Sequence, residues 1–175
     1  MPGNQPPLSD RIAGALWGML IADALASPSH WFYGGKRQVQ QLLGGPIKGY
    51  VAPLSGRGAF PPSIMALSDT AGAGRRGGGS TGRENQIVGD VINHGKRKYW
   101  QKGSGYHYHC TLGRGENTLE GSIARLAIRT LSSQPTHSPH FFDFDRLQAE
   151  YVKFMTTPGS HNDAYASSYH RLFFQ

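Results

Sequence analysis

The sequence predicts a mainly α-helical fold, on three observations. Apolar residues recur at helical spacing in several separate segments, strand signals are almost absent, and most helical segments are bounded by a capping residue, a glycine or a proline. No internal repeat is visible. A chain of 175 residues makes one domain at most. Its apolar fraction of 38%, beside 24 glycines and 11 prolines, points to extensive loops and a modest core.

The first helix is expected from Ser9 to Ala26. Ser9 suits the N-cap, worth about 1 kcal/mol over alanine, and Asp10 suits the positive end of the helix dipole. Ile12, Leu16, Met19, Leu20 and Asp23 share one broad face, and Ala13, Gly14, Ala15, Gly18 and Ala22 are small. Small side chains permit close helix packing, so this helix is expected at the centre of the fold. Asp23 opposes the dipole at the helix's C-terminal end, a mild cost. Ser27-Pro28 stops the helix, and the aromatic turn His30-Trp31-Phe32-Tyr33 follows.

A short helix is expected over Lys36–Leu43, ending at Gly44-Gly45-Pro46. Ile47 to Gly82 has no sustained period and reads as a long loop, with residues 72–82 its glycine-rich, flexible part. Arg83 to His94 returns to helical spacing through Ile87, Val91 and Ile92. Asn117 opens the next helix, with Glu120 completing a capping box and Leu119, Ile123, Leu126, Ala127 and Leu131 as its buried stripe. Asp143 caps another, whose apolar face is Phe144, Leu147, Tyr151, Phe154 and Met155, broken by Pro158-Gly159. A last helix is expected from Asn162, carrying Tyr165, Tyr169, Leu172 and Phe173.

Eighteen basic against eleven acidic residues leave a charge of +7, which favours an anionic partner. Cys110, the single cysteine, excludes an internal disulfide and points to a reducing compartment. Residues 1–7 lack a signal-peptide pattern, and the apolar stretch Ile12–Ala26 carries Asp23 and is short for a bilayer. A cytoplasmic protein without a membrane partner is the expectation.

Three motifs compete for function. Gly72-Ala73-Gly74-Arg75-Arg76-Gly77 matches the dinucleotide fingerprint, but neither a strand before it nor a helix after it is expected. The same arginines and glycines suit a nucleic-acid contact, yet no recognised module accompanies them, so nucleic acid is not expected. His107, His109 and Cys110 lack a second ligand pair at zinc spacing, and a lone Cys110 more often packs than reacts. Glu116-Asn117-Thr118, after Gly115, gathers carboxylate, amide and hydroxyl oxygens where a helix starts. Such donors suit magnesium, which keeps several waters, or they cap the helix; capping alone leaves Glu116 unexplained.

Several blocks in order resemble the ADP-ribosylglycohydrolase family, which includes dinitrogenase-reductase-activating glycohydrolases and J-crystallins. Arg11-Ile12-Ala13-Gly14-Ala15-Leu16-Trp17-Gly18 with Asp23-Ala24-Leu25 resembles its opening helix and G-D-A-L signature. His30-Trp31-Phe32-Tyr33, Ser63-Ile64-Met65 and Gly89-Asp90-Val91-Ile92-Asn93-His94-Gly95-Lys96 resemble one branch, as do Gly115-Glu116-Asn117-Thr118-Leu119, Ser160-His161-Asn162-Asp163-Ala164-Tyr165 and Ser168-Tyr169-His170-Arg171. The resemblance implies an orthogonal all-α bundle that cleaves the glycosidic bond of ADP-ribosyl or related ribosyl conjugates, on an ADP-ribosylated protein or small molecule, with Mg2+. It implies Glu116, Asn117 and Thr118 on the metal, Glu116 and Asp23 in catalysis, and His161, Asn162 and His30 against the substrate.

Gly115-Glu116-Asn117-Thr118 stands where the family has T-D-D-T, so one carboxylate replaces two. His30 replaces a frequent glutamate, and Ala22 replaces the signature's first glycine. The second metal motif, D-T-D-T, is not among the 175 residues. Residues 1–175 are therefore expected to form a partial domain matching the family's N-terminal half. The alternative is a catalytically inactive truncated relative serving as a structural or ligand-binding module.

Overall fold

In a computed structural model the described residues are 5–67, 87–133 and 142–175. They are helix-rich and contain no β-strand, as the apolar periodicity predicts. Five α-helices follow in order: α1 Leu8–Ala26, α2 Gly35–Leu43, α3 Leu119–Ser132, α4 Phe144–Thr156 and α5 Ser168–Phe173. The glycine-rich segment 72–82 lies outside the described residues.

The central position expected for α1 is not found. Ala24 is its one buried residue, and Trp17 is 67% exposed, with Leu8, Ile12, Met19 and Ile21 also exposed. The helix is apolar nearly all round, so no single face directs it inward. It meets the body through its C-terminal part, where it packs on α3. Pro7, not Ser9, occupies the N-cap position; Ser9 lies inside the helix with its hydroxyl on Asp10. Leu8–Ser29 is long and apolar enough to cross a membrane by length and composition alone, a longer stretch than the Ile12–Ala26 read from the sequence.

Local signals set the other helices well. Gly44 ends α2 at φ 76°, the left-handed conformation that glycine adopts without strain. Thr118, one residue after the expected Asn117, caps α3 by accepting from the Gly121 amide at 3.2 Å. That shift places Glu120 too early for a capping box. Asp143 caps α4 through the Arg146 amide, 2.9 Å, as expected. Phe144, however, is exposed, so the inward face of α4 is Met155 with the half-buried Tyr151 and Phe154.

Two expected helices differ from the prediction. Ile87–Val91 forms a π-type turn that Gly89 (φ 101°) and Asn93 (φ 50°) take into the left-handed region; residues 83–86 lie outside the described set. The last helix covers only Ser168–Phe173, because residues 160–167 run irregularly to place Asp163 in the interior. Two apolar clusters result. One joins Phe32, Phe60, Met65, Val88, Trp100 and Tyr108; the other joins Ile87, Ile92, Leu119, Met155 and Ala166. The segment 104–118 and the irregular run 160–167 lie between them and carry the polar groups described next.

Candidate functional site

Asp163 is fully buried, and backbone amides are aimed at its carboxylate. The amides of Leu119 (2.9 Å) and Tyr165 (3.1 Å) donate to its carboxylate. The amide of Leu119 opens α3, so the carboxylate also meets the positive end of that helix. His109, likewise fully buried, places Nδ1 2.9 and 3.0 Å from the two carboxylate oxygens. An ionised carboxylate only accepts, so Nδ1 carries the proton.

The other nitrogen of His109, Nε2, lies 2.6 Å from Nδ1 of His30. The two rings stack with centroids 4.9 Å apart. His107 fixes the same turn from below: its Nδ1 accepts from the His109 amide (3.3 Å), so its Nε2 donates to the His30 carbonyl (3.0 Å). Asp163, His109 and His30 thus form a continuous relay from the interior to a cleft.

The relay's histidines are tuned apart. Burial pushes His30 down to about 4, and the neighbouring His109 adds to that. Burial also takes His107 down to about 4. For His109, burial is again the largest influence and acts downward, but the charge and hydrogen bond of Asp163 together override it and raise the pKa. A proton entering the relay therefore rests on His109, and His30 stays neutral.

The cleft that His30 lines has a volume of about 650 Å³, within the range of small-molecule sites. Trp31, Tyr33 and Tyr165 supply aromatic surface, and Asp23 and Glu120 supply carboxylates. Trp31 is held at φ 66°, uncommon for a bulky residue, and stacks on Tyr108 at 5.0 Å. Asp23 is gripped by three donors: the Thr118 amide (2.8 Å), the Thr118 hydroxyl (2.6 Å) and the Asn117 side-chain amide (2.9 Å). These offset its unfavourable place at the end of α1. Gly121 packs against it so closely that an added Cβ would collide with Asp23 Oδ2. Glu120, half exposed at the rim, is raised by desolvation, and Asp163 adds to that. His170 Nε2 lies 3.9 Å from Glu120 Oε1, and His170 Nδ1 is held by the Tyr151 hydroxyl at 2.8 Å.

A second cleft, about 660 Å³, contains Glu116, Asn117, His161 and Asn162 together with Lys96 and Arg125. Glu116 Oε2 accepts from the Gly113 amide (2.6 Å) and the Asn162 side chain (2.9 Å). Lys96 donates to the Asn162 carbonyl (2.7 Å) and to its side-chain oxygen (3.2 Å). The His161 ring tilts over Phe154, and burial lowers its pKa.

The residues expected to act together are thus divided. Asp23, His30 and Thr118 line the first cleft, whereas Glu116, Asn117, His161 and Asn162 line the second. The Thr118 hydroxyl donates to Asp23 and accepts from Gly121, and the Asn117 amide donates to the Leu20 carbonyl (2.7 Å) and Asp23. Among the described residues no three His, Cys, Asp or Glu side chains converge as metal ligands. As arranged, Glu116 Oε2 and the Thr118 hydroxyl serve the protein's own hydrogen bonds and line different clefts, while Asn117 engages Asp23 through its side-chain NH₂.

Sequence reasoning did not find the relay. His109 was legible only as half of an incomplete zinc pattern, Asp163 only as part of the Ser160–Tyr165 block, and Glu120 only as a cap. No family model, curated protein or solved structure matches the chain.

Proposed function

We propose that the first cleft hydrolyses the glycosidic bond of ADP-ribosyl or related ribosyl conjugates. The observation that supports this most is the Asp163–His109–His30 relay ending in an aromatic-walled cleft with two carboxylates in opposite environments. Glycosidic cleavage needs such a division of labour: one carboxyl that gives a proton, and one that stays ionised beside developing positive charge.

Glu120, whose pKa is raised, protonates the leaving atom as the bond to the anomeric carbon breaks. Asp23, its carboxylate accepting from three donors, faces the oxocarbenium charge that develops on the sugar. His30, neutral, takes a proton from the attacking water. As it does so, its Nδ1 proton passes to His109 Nε2, so the charge rests on His109 beside the buried Asp163 and His30 stays neutral. Trp31 and Tyr165 offer flat apolar surface to a sugar or base ring. The resemblance of the sequence blocks and the charge of +7 favour an anionic ribosyl conjugate as the substrate class.

A second reading, a ligand-binding module without catalysis, is favoured by one observation: the Glu116 and Thr118 side-chain oxygens are already engaged in internal hydrogen bonds, in different clefts. Incubation with an ADP-ribosylated peptide, following free ADP-ribose, separates the two. Release by the wild-type protein is the expected result. Thermal stabilisation by ADP-ribose with no release supports the second reading, and neither effect removes both.

A further inference from the structure

We propose that the second cleft is a binding site for a phosphate-bearing small molecule, held between Lys96 and Arg125. This does not depend on the chemistry in the first cleft.

Charge supplies the first reason. Lys96 and Arg125 reach the cleft from different elements, the loop after Asn93 and the helix α3. The one carboxylate lining it, Glu116, is hydrogen-bonded by the Gly113 amide and the Asn162 side chain, and its charge balances only one of the two cations. The cleft therefore keeps an excess of positive charge. Lys96 is fixed in place by both oxygens of Asn162, so its ammonium is preorganised rather than mobile. Arg125 makes no hydrogen bond or ion pair among the described residues, although a guanidinium has five donors in a fork that matches an oxyanion.

Orphaned groups supply the second. Ser160 Oγ and His161 Nδ1 are buried and have no hydrogen-bond partner among the described residues. A buried polar group left without a partner is unfavourable, so these two favour a ligand or water that supplies one. Both residues line this cleft and also a cavity of about 10 Å³ behind it, near the lower limit for one water. A hydroxyl donor and a ring nitrogen that can take either role suit a phosphate oxygen, directly or through that water. The volume fits a small molecule, and two flanking cations with inward hydroxyls suit a tetrahedral oxyanion better than a polymer track.

The test is titration with inorganic phosphate, pyrophosphate and ADP at matched ionic strength, read by calorimetry and thermal shift. Saturable binding is expected, weakened about tenfold by Arg125→Ala and by Lys96→Met. Arg129→Ala, on the same helix outside the cleft, and His30→Ala, in the first cleft, leave it unchanged. Arg125 has no structural partner in the described residues, so its removal tests the site even if Lys96→Met does not fold. Tighter binding of ADP than of pyrophosphate identifies an organic phosphate, and equal binding an inorganic one. No binding by the wild type overturns the proposal, as does equal weakening by Arg125→Ala and Arg129→Ala.

Discussion

At the scale of residues, the fold's polar interior is its most exacting feature. Asp163 accepts from two backbone amides and His109 without exposure, so Asp163→Asn sets a side-chain NH₂ against one of three donors. Breaking such a buried pair costs about 3–5 kcal/mol. A urea midpoint well below wild type is expected, and an unchanged midpoint contradicts the interior described here. The histidines give a pH dependence of definite sign. His107, with its folded pKa near 4 against an ordinary 6.5, binds its proton more readily unfolded. Stability is therefore full above about pH 6.5 and falls as the pH drops toward 4, by up to about 3 kcal/mol for this one group. His109 acts oppositely: its raised pKa favours the fold below that value. His107→Gln should flatten the acid decline in thermal melts between pH 7 and 4; a decline as steep as wild type contradicts the assignment.

At the scale of elements, legibility followed how local the cause was. The α4 cap, Asp143, and the α2 stop, Gly44, act within one turn and were readable directly. The environment of α1 was not, because a helix apolar on every side carries no direction in its own sequence. The segment 87–91 kept helical spacing yet turned away, since Gly89 and Asn93 adopt positive φ that spacing cannot reveal. The contrast between α1 and α4 yields a prediction. Trp17→Ser on exposed α1 should change stability by less than about 0.5 kcal/mol, whereas Met155→Ala, fully buried on α4, should cost about 2–5 kcal/mol. Equal effects in denaturant titrations contradict the packing described here.

At the scale of the whole molecule, three remote segments meet to make the Asp163–His109–His30 relay. His30 lies 79 residues from His109, and His109 lies 54 from Asp163, so no window of sequence contains the relay. What the sequence did carry were its fragments: the His/Tyr-rich run before Cys110, the Ser160–Tyr165 block and the aromatic turn at His30. Packing of the two apolar clusters brings those fragments together and divides the expected metal donors between two clefts. The deciding measurement is the rate of ADP-ribose release from an ADP-ribosylated peptide by wild type and His30→Ala, each confirmed folded by circular dichroism. Loss of a general base should slow release by roughly 10²–10⁴-fold. Equal rates would mean that the relay does not serve the reaction.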